Sequence, residues 1–355
     1  MVDKTGGGYG MTVPNSFAAL VLGHGGRAES PPAEPTDFAG LLQYRQLAMP
    51  EPGGDQVLIR VAQSPVNPSD LLYIRGEYGL PRQAGTPAGF EGVGTVVRTG
   101  TGAGAGALMG RRVAFLATGS GAWAEYAVSD AASCIPVPPE IGDNDAAALI
   151  VNPLTAMALV SLAVESGTRA VVLTAAHSQL GRLMIEPALA HKLALIAVVR
   201  RTDHADALRA EGVQHVLNSR AADFATRLAA ICRSEKPRIL LDAVGDQIAA
   251  DIFTAMPAHS RWISYGLLSA TGPRLPIMRQ FVFDNKRIEG FWLSRWLPAA
   301  STEMRRTAEA EVLSRFGQGL WRTEVGQRLS LKTAISHLPE AIKAQGKVMI
   351  VPDTV

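Results

Sequence analysis

The sequence predicts an α/β protein in which a doubly wound parallel-sheet domain is inserted into an irregular β domain. Three observations support this fold class. Apolar strands and helical segments alternate between residues 169 and 296, as in parallel sheets covered by helices. Short apolar strands and Pro- and Gly-rich turns fill residues 16–145, which is typical of an irregular β domain. A last apolar strand, Lys347 to Val351, is expected to complete that first domain.

The predicted boundaries divide the 355 residues into a tail and two domains. Residues 1–15 are expected to be a flexible tail, since their start, MVDKTGGGYG, lacks both the apolar core of a signal peptide and the Arg-rich pattern of a transit peptide. Residues 16–145 together with 297–355 form the β-rich domain, and residues 146–296 form the parallel-sheet domain. The apolar stretch Ala146 to Val164 predicts a helix that crosses from the first domain to the second.

The β-rich part begins with two predicted strands, Ser16 to Gly23 and Gln56 to Val61. Asn67 then precedes Pro68 and a short apolar run, a pattern that predicts a capped helix start. Tyr78 follows between two glycines, which places an aromatic hydroxyl on the loop after this helix. Three further strands are predicted at residues 90–97, 111–116 and 122–128.

A strand, turn, helix and strand make up a predicted βαβ unit between Arg169 and Arg201. Such a unit binds a dinucleotide when small residues let the pyrophosphate approach the N-terminus of the helix. The three positions of the G-x-G-x-x-G fingerprint are held by Ala176, Ser178 and Gly181. Because only the last is glycine, the pattern fits either a dinucleotide site or an ordinary βαβ crossover. The predicted phosphate contacts are Ala176, His177, Ser178, Gln179, Leu180 and Gly181.

Arg200 and Arg201 stand at the end of the second strand of this unit. NAD-preferring sites have an acidic residue at this place, which accepts hydrogen bonds from the ribose hydroxyls. A guanidinium pairs instead with a 2′-phosphate, so the sequence favours NADPH as the cofactor. The alternative is a solvated pair of arginines at a strand end.

The alternation of helices and strands continues beyond the βαβ unit. Ligands of open parallel sheets bind beyond the carboxyl ends of the strands, so these ends are expected to frame the nicotinamide half of the cofactor. The residues predicted there are Val244, Gly245, Tyr265, Gly266, Phe291, Trp292 and Leu293. Helices are predicted at 205–211, 222–233, 247–255 and 303–316, and strands at 215–217, 239–242, 262–265 and 288–293.

Composition argues against several classes of function. The formal net charge is +2, and no basic run is interleaved with aromatic residues, so nucleic acid is not expected as a partner. No apolar run reaches the 18 to 20 residues of a membrane span. The two cysteines are too few for a disulfide framework, and we expect a protein of the reducing cytoplasm.

Five motifs carry a resemblance to a known family: VNPSDLLYIRGEYG, GFEGVG, VNPLTA, DAVG and GFWLSRW. With the order of the domains, they resemble the medium-chain dehydrogenase/reductase superfamily, and within it the zinc-free quinone reductases and 2-enoyl thioester reductases. GFWLSRW favours the mitochondrial-type trans-2-enoyl reductases. The resemblance implies a Rossmann-type domain inserted into a GroES-like β-barrel domain, a homodimer, NADPH, and a small-molecule substrate.

Two residues depart from patterns of the superfamily. Zinc-dependent alcohol dehydrogenases have histidine in a G-H-E motif, and Phe90 stands at that place here. Zinc requires nitrogen, sulfur or carboxylate ligands, and the seven histidines form no set with ligand spacing, so no metal is expected. Gln179 stands where relatives have a glycine in the phosphate turn. The sequence therefore does not determine which groups of the turn contact the phosphates.

Conjugate reduction requires a hydride donor, hydrogen bonds to a carbonyl oxygen and a proton for the α-carbon. Tyr78 matches the tyrosine that this family is thought to use as proton donor or oxygen anchor, and the alternative is a rim tyrosine that only packs against substrate. Asn67, Asn152 and Thr155 either assist it by holding the nicotinamide ribose or the substrate carbonyl, or only cap helices. Aromatic residues either line the substrate pocket or belong to the core: Trp123, Phe291, Trp292 and Trp296.

The sequence is compatible with three functions. The first is NADPH-dependent reduction of a trans-2-enoyl thioester of coenzyme A or acyl carrier protein. The second is a quinone or enone reductase, which uses the same cofactor and differs in the shape of its pocket. The third is a protein that binds NADPH without catalysis and has no need of an acid at Tyr78.

Overall fold

The structure is a computed structural model that describes residues 13–28, 38–275 and 278–353. Most of the predicted flexible tail, residues 1–12, lies outside the described residues. The chain forms two compact units. The first contains the described residues up to Ile150 and those from Leu313 onward, and the second is Val151–Val312.

The first unit begins with two strands that pair antiparallel, followed by a sheet with short helices between its strands. Two of its strands were not predicted, because one is mostly polar (LQYRQLA) and the other has only three residues (CIP). The elements are β1 (Ser16–Leu22), β2 (Leu42–Ala48), β3 (Gln56–Pro65), α1 (Pro68–Arg75), β4 (Glu91–Thr99), α2 (Ala103–Gly106), β5 (Arg112–Leu116), β6 (Tyr126–Asp130), β7 (Cys134–Pro136) and α3 (Asp143–Ala147).

The second unit is a parallel sheet of six strands with helices between them. Its elements are α4 (Val151–Glu165), β8 (Ala170–Leu173), α5 (Gln179–Ala190), β9 (Ala194–Val199), α6 (Thr202–Ala210), β10 (His215–Asn218), α7 (Phe224–Glu235), β11 (Ile239–Asp242), α8 (Gln247–Ala255), β12 (Arg261–Ser264), α9 (Arg279–Val282), β13 (Arg287–Gly290), α10 (Leu293–Ala299) and α11 (Thr302–Gly317). The strand order is β10-β9-β8-β11-β12-β13, which confirms the predicted doubly wound sheet. Apolar strand residues pack with Phe253 and Trp262 in its core.

The end of the chain returns to the first unit as β14 (Val325–Ser330), α12 (Leu331–Ala341) and β15 (Lys347–Val351). β15 pairs with β14 on one side and β3 on the other, in a sheet of order β14-β15-β3-β4-β5-β7 with β6 also on β3. Leu331, Leu338 and Ile350 contribute to a core cluster with Leu20 and Trp123. The last two strands of the chain therefore belong to the same sheet as β3.

The predicted helix over residues 146–164 is in fact two helices, α3 and α4. Between them, the Ile150 N–H donates to the buried carboxylate of Glu91 at 3.0 Å, a bond outside any helix. The two compact units divide directly after Ile150 and again within α11, whereas the sequence placed the division at residues 146 and 296. Among the described residues, no helix is long and apolar enough to cross a membrane.

Candidate active site

The turn between β8 and α5, which we call the Gly181 turn (Thr174 to Gly181), places small residues at the start of a helix. Ala175 adopts a left-handed backbone conformation with φ of 47°. Ser178 Oγ accepts a hydrogen bond from the Gly181 N–H at 3.1 Å and so caps α5. A Cβ at Gly181 would lie 2.6 Å from the Ala176 carbonyl oxygen, so glycine is required for this close packing of the helix against the turn.

Gln179 and Leu180 open α5 and contribute the first N–H groups of the helix, which have no acceptor within it and can bind an anion. Asn152 of α4 lies at this turn, since its Nδ2 donates to Gln179 Oε1 at 3.4 Å. Thr155, one turn further along α4, is 7% exposed and donates its hydroxyl to the Val151 carbonyl at 2.6 Å. Of the two predicted α4 residues, Asn152 is therefore the one that the structure brings to the turn.

The two arginines at the end of β9 are exposed, but one of them already has a partner. Arg201 donates through Nε and Nη2 to both carboxylate oxygens of Asp203, at 2.9 and 2.6 Å. This pairing holds the pKa of Asp203 at about 2, below its ordinary value. Arg200 has no such carboxylate neighbour among the ion pairs of the described residues. A 2′-phosphate would therefore compete with Asp203 for Arg201.

Asp242, at the end of β11, organises the neighbouring strand ends and was not predicted as a site residue. Its buried carboxylate accepts hydrogen bonds from Thr174 Oγ1 at 2.5 Å and Trp262 Nε1 at 3.0 Å. It also accepts the N–H groups of Val244 and Gly245, at 3.0 and 2.9 Å. These bonds fix the turn after β11 relative to the Gly181 turn. The DAVG motif contains this residue, so the signal was present in the sequence.

Two predicted residues follow β12. A Cβ at Gly266 would lie 2.7 Å from the Ala243 carbonyl oxygen, so this position also requires a close approach of two backbone segments. The Tyr265 hydroxyl is buried and has no hydrogen-bond partner among the described residues. Burial, and to a lesser degree Asp242, raises the pKa of this phenol, which keeps it protonated. The Tyr265 O–H can therefore donate a hydrogen bond to a bound molecule or to water.

Aromatic side chains follow β13 and line a surface depression of about 310 Å³. The Phe291 N–H donates to the Ser264 carbonyl at 2.8 Å, so the segment continues the sheet. The Arg295 guanidinium lies 5.4 Å from the centroid of the Trp292 ring. Leu293 opens α10 and is 9% exposed, hence mostly core. The lining residues are Gly290, Phe291, Trp292, Arg295 and Trp296.

Tyr78 lies in the first unit, half-buried in a cluster of three aromatic rings. Its ring centroid is 5.1 Å from that of Phe90 and 6.2 Å from that of Tyr73. Phe90 and Tyr73 are also in contact, at 5.1 Å between centroids. The residue that occupies the place of a zinc-binding histidine therefore packs against the predicted acid.

A buried polar cluster, formed by Asn67, Asp70, Glu91 and Lys347, is linked to this aromatic group through the backbone of Phe90. Asp70 accepts the N–H groups of Asn67 at 2.7 Å and Phe90 at 2.9 Å. Asn67 donates its amide to Glu91 at 2.8 Å and accepts from Lys347 Nζ at 2.7 Å. The cluster thus ties the start of α1 to Phe90 and, through Phe90, to Tyr78.

Burial sets the protonation of the charged groups in this cluster. It raises the pKa of Asp70 to about 7, although the two backbone N–H groups act in the opposite direction. It lowers the pKa of Lys347 to about 8, against the attraction of Glu91 and Asp70. Burial therefore disfavours the charged form of both Asp70 and Lys347.

Two predicted site residues have a different place in the structure. Asn67 is 1% exposed with its amide engaged by Glu91 and Lys347, which contradicts a contact with substrate or ribose. Trp123 is fully buried, donates Nε1–H to the Pro65 carbonyl at 3.2 Å, and lies under Gly89, where a Cβ would be 2.2 Å from the indole. This burial contradicts its predicted place in a substrate pocket, because the core of the β-rich unit takes up the ring.

No group of three His, Cys, Asp or Glu side chains is positioned to hold a metal ion in the described parts of the chain. The two cysteines, Cys134 and Cys232, are free, and burial raises the pKa of each thiol to about 11. Neither is therefore activated as a nucleophile.

Comparisons with known proteins agree with this geometry. Residues 53–139 match the alcohol dehydrogenase GroES-like domain family, and residues 180–310 match the family described as zinc-binding dehydrogenase. The chain is 31% identical over 288 residues to the mitochondrial enoyl-[acyl-carrier-protein] reductase of Bos taurus, covering 80% of this chain and 74% of the relative.

Two solved structures extend the comparison. A Mesorhizobium loti protein, provisionally described as an NADPH:quinone reductase, is 42% identical with a TM-score of 0.91, covering 96% of this chain and all of that one. The mitochondrial 2-enoyl thioester reductase Etr1p/Etr2p heterodimer of Candida tropicalis is 17% identical, with a TM-score of 0.77 over 95% of this chain and 99% of that one. At that identity the likeness shows the fold alone.

The two units and the Gly181 turn define a reductase built from a GroES-like and a Rossmann-type domain. The chain belongs to the medium-chain dehydrogenase/reductase superfamily, in its zinc-free branch of quinone reductases and enoyl thioester reductases.

Proposed function

We propose that this protein uses NADPH to reduce the activated C=C bond of a trans-2-enoyl thioester. Hydride goes to the β-carbon and a proton to the α-carbon, so that enoyl thioester, NADPH and a proton give the saturated thioester and NADP⁺. The observation that carries the proposal is Tyr78, a half-buried phenol packed on Phe90, together with the 31% identity to a mitochondrial enoyl reductase.

The residues of the second unit fit NADPH. Gly181 lets α5 approach the turn, Ser178 caps the helix, and the first N–H groups of α5 can donate hydrogen bonds to a pyrophosphate. Arg200 and Arg201 offer guanidinium groups for the 2′-phosphate. We expect NADPH to bind at least about tenfold more tightly than NADH, a difference of about 1.4 kcal/mol. When bound, the nicotinamide supplies the hydride.

Tyr78 is the residue that stabilises the negative charge formed on the substrate during hydride transfer. When hydride reaches the β-carbon, negative charge develops on the thioester oxygen, and a phenol within hydrogen-bond reach stabilises it or protonates the α-carbon. Phe90 holds the ring from one side, and Asp70 fixes the Phe90 N–H at 2.9 Å. The buried polar cluster is therefore a positioning group for Tyr78, and it does not touch substrate.

The test is a pair of conservative variants in one aromatic cluster. Tyr78→Phe removes the hydroxyl and keeps the ring, and we expect kcat with a crotonyl thioester to fall about 10² to 10⁴-fold with little change in NADPH binding. Tyr73→Phe is the matched control, because Tyr73 belongs to the same aromatic cluster and its hydroxyl donates to the Pro81 carbonyl at 3.4 Å. Equal kcat for wild type and Tyr78→Phe on every thioester would remove Tyr78 as the acid and leave water or Thr155.

A second candidate function, quinone or enone reduction, is favoured by the 42% identity to the Mesorhizobium loti protein. A quinone accepts hydride readily and takes its proton from solvent, so Tyr78→Phe should then cost less than about tenfold in kcat. Tight NADPH binding without turnover of thioesters, quinones or unsaturated aldehydes would point instead to a non-catalytic role.

We further propose a homodimer that works in the cytoplasm. Two free, unactivated cysteines suit a reducing compartment. Light scattering coupled to size exclusion tests the dimer, and a monomeric mass at micromolar concentration would refute it.

A further inference from the structure

Two imidazole rings stack face to face between the segments that follow β8 and β9. His177 lies in the Gly181 turn, and His204 lies in the first turn of α6. Their ring centroids are 3.9 Å apart, with 10° between the planes. Because β8 and β9 are adjacent parallel strands, the stack joins the two segments that hold the adenosine half of a dinucleotide in this fold.

Charged groups face the stack from each helix that packs against it. Arg182 of α5 pairs with Glu211, at the end of α6, at 2.9 Å. Burial, the neighbouring His204 ring and Arg182 lower the pKa of His177, while Glu211 and Asp203 act in the opposite direction. Burial therefore disfavours the protonated form of the His177 ring when no nucleotide is bound.

The arginine pair alone does not supply two uncommitted cations for a 2′-phosphate. Arg201 is held by both carboxylate oxygens of Asp203, and the phosphate must displace this carboxylate to gain the guanidinium. An imidazole in the same segments offers another source of positive charge. A dianionic phosphate beside an imidazole favours the protonated ring, which reverses the effect of burial.

We propose that His177 and His204, with Arg200, form a proton-coupled subsite for the 2′-phosphate of NADPH. One ring of the stack takes up a proton as the phosphate binds and donates that N–H to a phosphate oxygen. The inference rests on the proposed use of NADPH and goes beyond it, because it predicts that the preference for NADPH over NADH depends on pH. A phosphate monoester keeps its second charge above about pH 7, so the preference should increase as pH falls from 8.5 to 7.

The experiment measures dissociation constants of NADPH and NADH by fluorescence titration of the whole protein at pH 8.5 and pH 7.0. For wild type we expect the ratio of the NADH constant to the NADPH constant to increase about twofold or more as pH falls, the result of raising one imidazole pKa by at least about a unit. Calorimetry at pH 7.0 in two buffers of different ionisation enthalpy should show NADPH binding with uptake of about half a proton more than NADH.

Three variants identify the groups responsible. His177→Gln combined with His204→Gln should remove both the pH dependence and the extra proton, while NADH binding reports that the pyrophosphate site is intact. His204→Phe keeps an aromatic ring in the stack and shows whether that histidine carries the proton. His215→Gln is the control, since His215 is a half-buried histidine of the same unit that bonds Glu235 at 3.2 Å.

The outcomes separate this inference from the proposed function. A ratio that does not change with pH in wild type, or a pH dependence that persists in the double variant, would overturn the subsite. If NADPH does not bind at either pH, the proposed function fails instead. Loss of the pH dependence in the double variant but not in His215→Gln is the result that the inference predicts.

Discussion

The Gly181 turn of the second unit and the buried polar cluster of the first are built in opposite ways. The turn draws on eight consecutive residues, and its proposed pyrophosphate contacts are backbone N–H groups that the missing side chain of Gly181 makes possible. The cluster joins side chains as far as 280 residues apart, and it acts through charge removed from water. Cofactor binding at the Gly181 turn should therefore be sensitive to added steric bulk. The stability provided by the buried polar cluster should be sensitive to changes in charge and pH.

The largest expected effect is on stability and comes from the cluster. Lys347→Met removes one positive charge and leaves Glu91 and Asp70 buried without it, so we expect a loss of about 3 to 5 kcal/mol in the free energy of unfolding. Lys343→Met is the control, because that lysine forms an exposed pair with Glu340 at 2.8 Å and should cost less than about 1 kcal/mol. Urea denaturation of both variants measures the difference, and similar losses would contradict the role of buried charge.

The next expected effect is a pH dependence of stability caused by Asp70. Burial raises the pKa of its carboxyl from 3.8 to about 7, so the folded protein holds this proton more tightly than the unfolded chain. Its contribution to stability is therefore fully present below about pH 4 and is lost as pH rises through about 7, by at most about 1.4 kcal/mol per pH unit.

The Asp70→Asn variant should lack this pH-dependent contribution to the free energy of unfolding, even if its overall stability differs from that of wild type. The measurement is the difference in unfolding free energy between wild type and Asp70→Asn at several pH values from 4 to 8. A difference that stays constant over this range would show that Asp70 does not hold the proton.

The smallest of the three expected effects belongs to the Gly181 turn. Gly181→Ala introduces a Cβ that would lie 2.6 and 2.7 Å from two backbone carbonyl oxygens, so the helix must shift at a cost of about 1 to 3 kcal/mol. We expect NADPH and NADH to bind about tenfold to a hundredfold more weakly, because both share the pyrophosphate. Gly106→Ala, where a Cβ meets nothing within 4 Å, should leave both constants unchanged.

The same contrast explains what the sequence could predict. The Gly181 turn, the strands of the parallel sheet and the start of α1 at Asn67 depend on neighbouring residues, so their patterns were readable. Lys347 could not be assigned to the site, since nothing near it in sequence indicates that its amine bonds Asn67. Trp123 was misplaced for a related reason, because an aromatic residue after a turn has the same pattern whether it lines a pocket or fills a core.

His204 and Asp203 make contacts that the sequence does not predict. The arginine pair at the end of β9 indicated a phosphate site, but a carboxylate two residues beyond Arg201 binds the guanidinium, and only the structure shows this pairing. Likewise, His177 stacks with His204 only because β8 and β9 are adjacent in the sheet. Contacts between segments that become neighbours through sheet order are therefore the part that sequence patterns miss.

The central claim, reduction of an enoyl thioester by hydride from NADPH, is tested most directly by following isotope into the product. The protein is incubated with a crotonyl thioester and NADPH deuterated at the transferred position, and the saturated thioester is analysed by mass spectrometry and NMR. We expect one deuterium at the β-carbon from the cofactor, and in deuterated water one at the α-carbon from solvent. A product without label at the β-carbon, or consumption of NADPH with quinones alone, would contradict it.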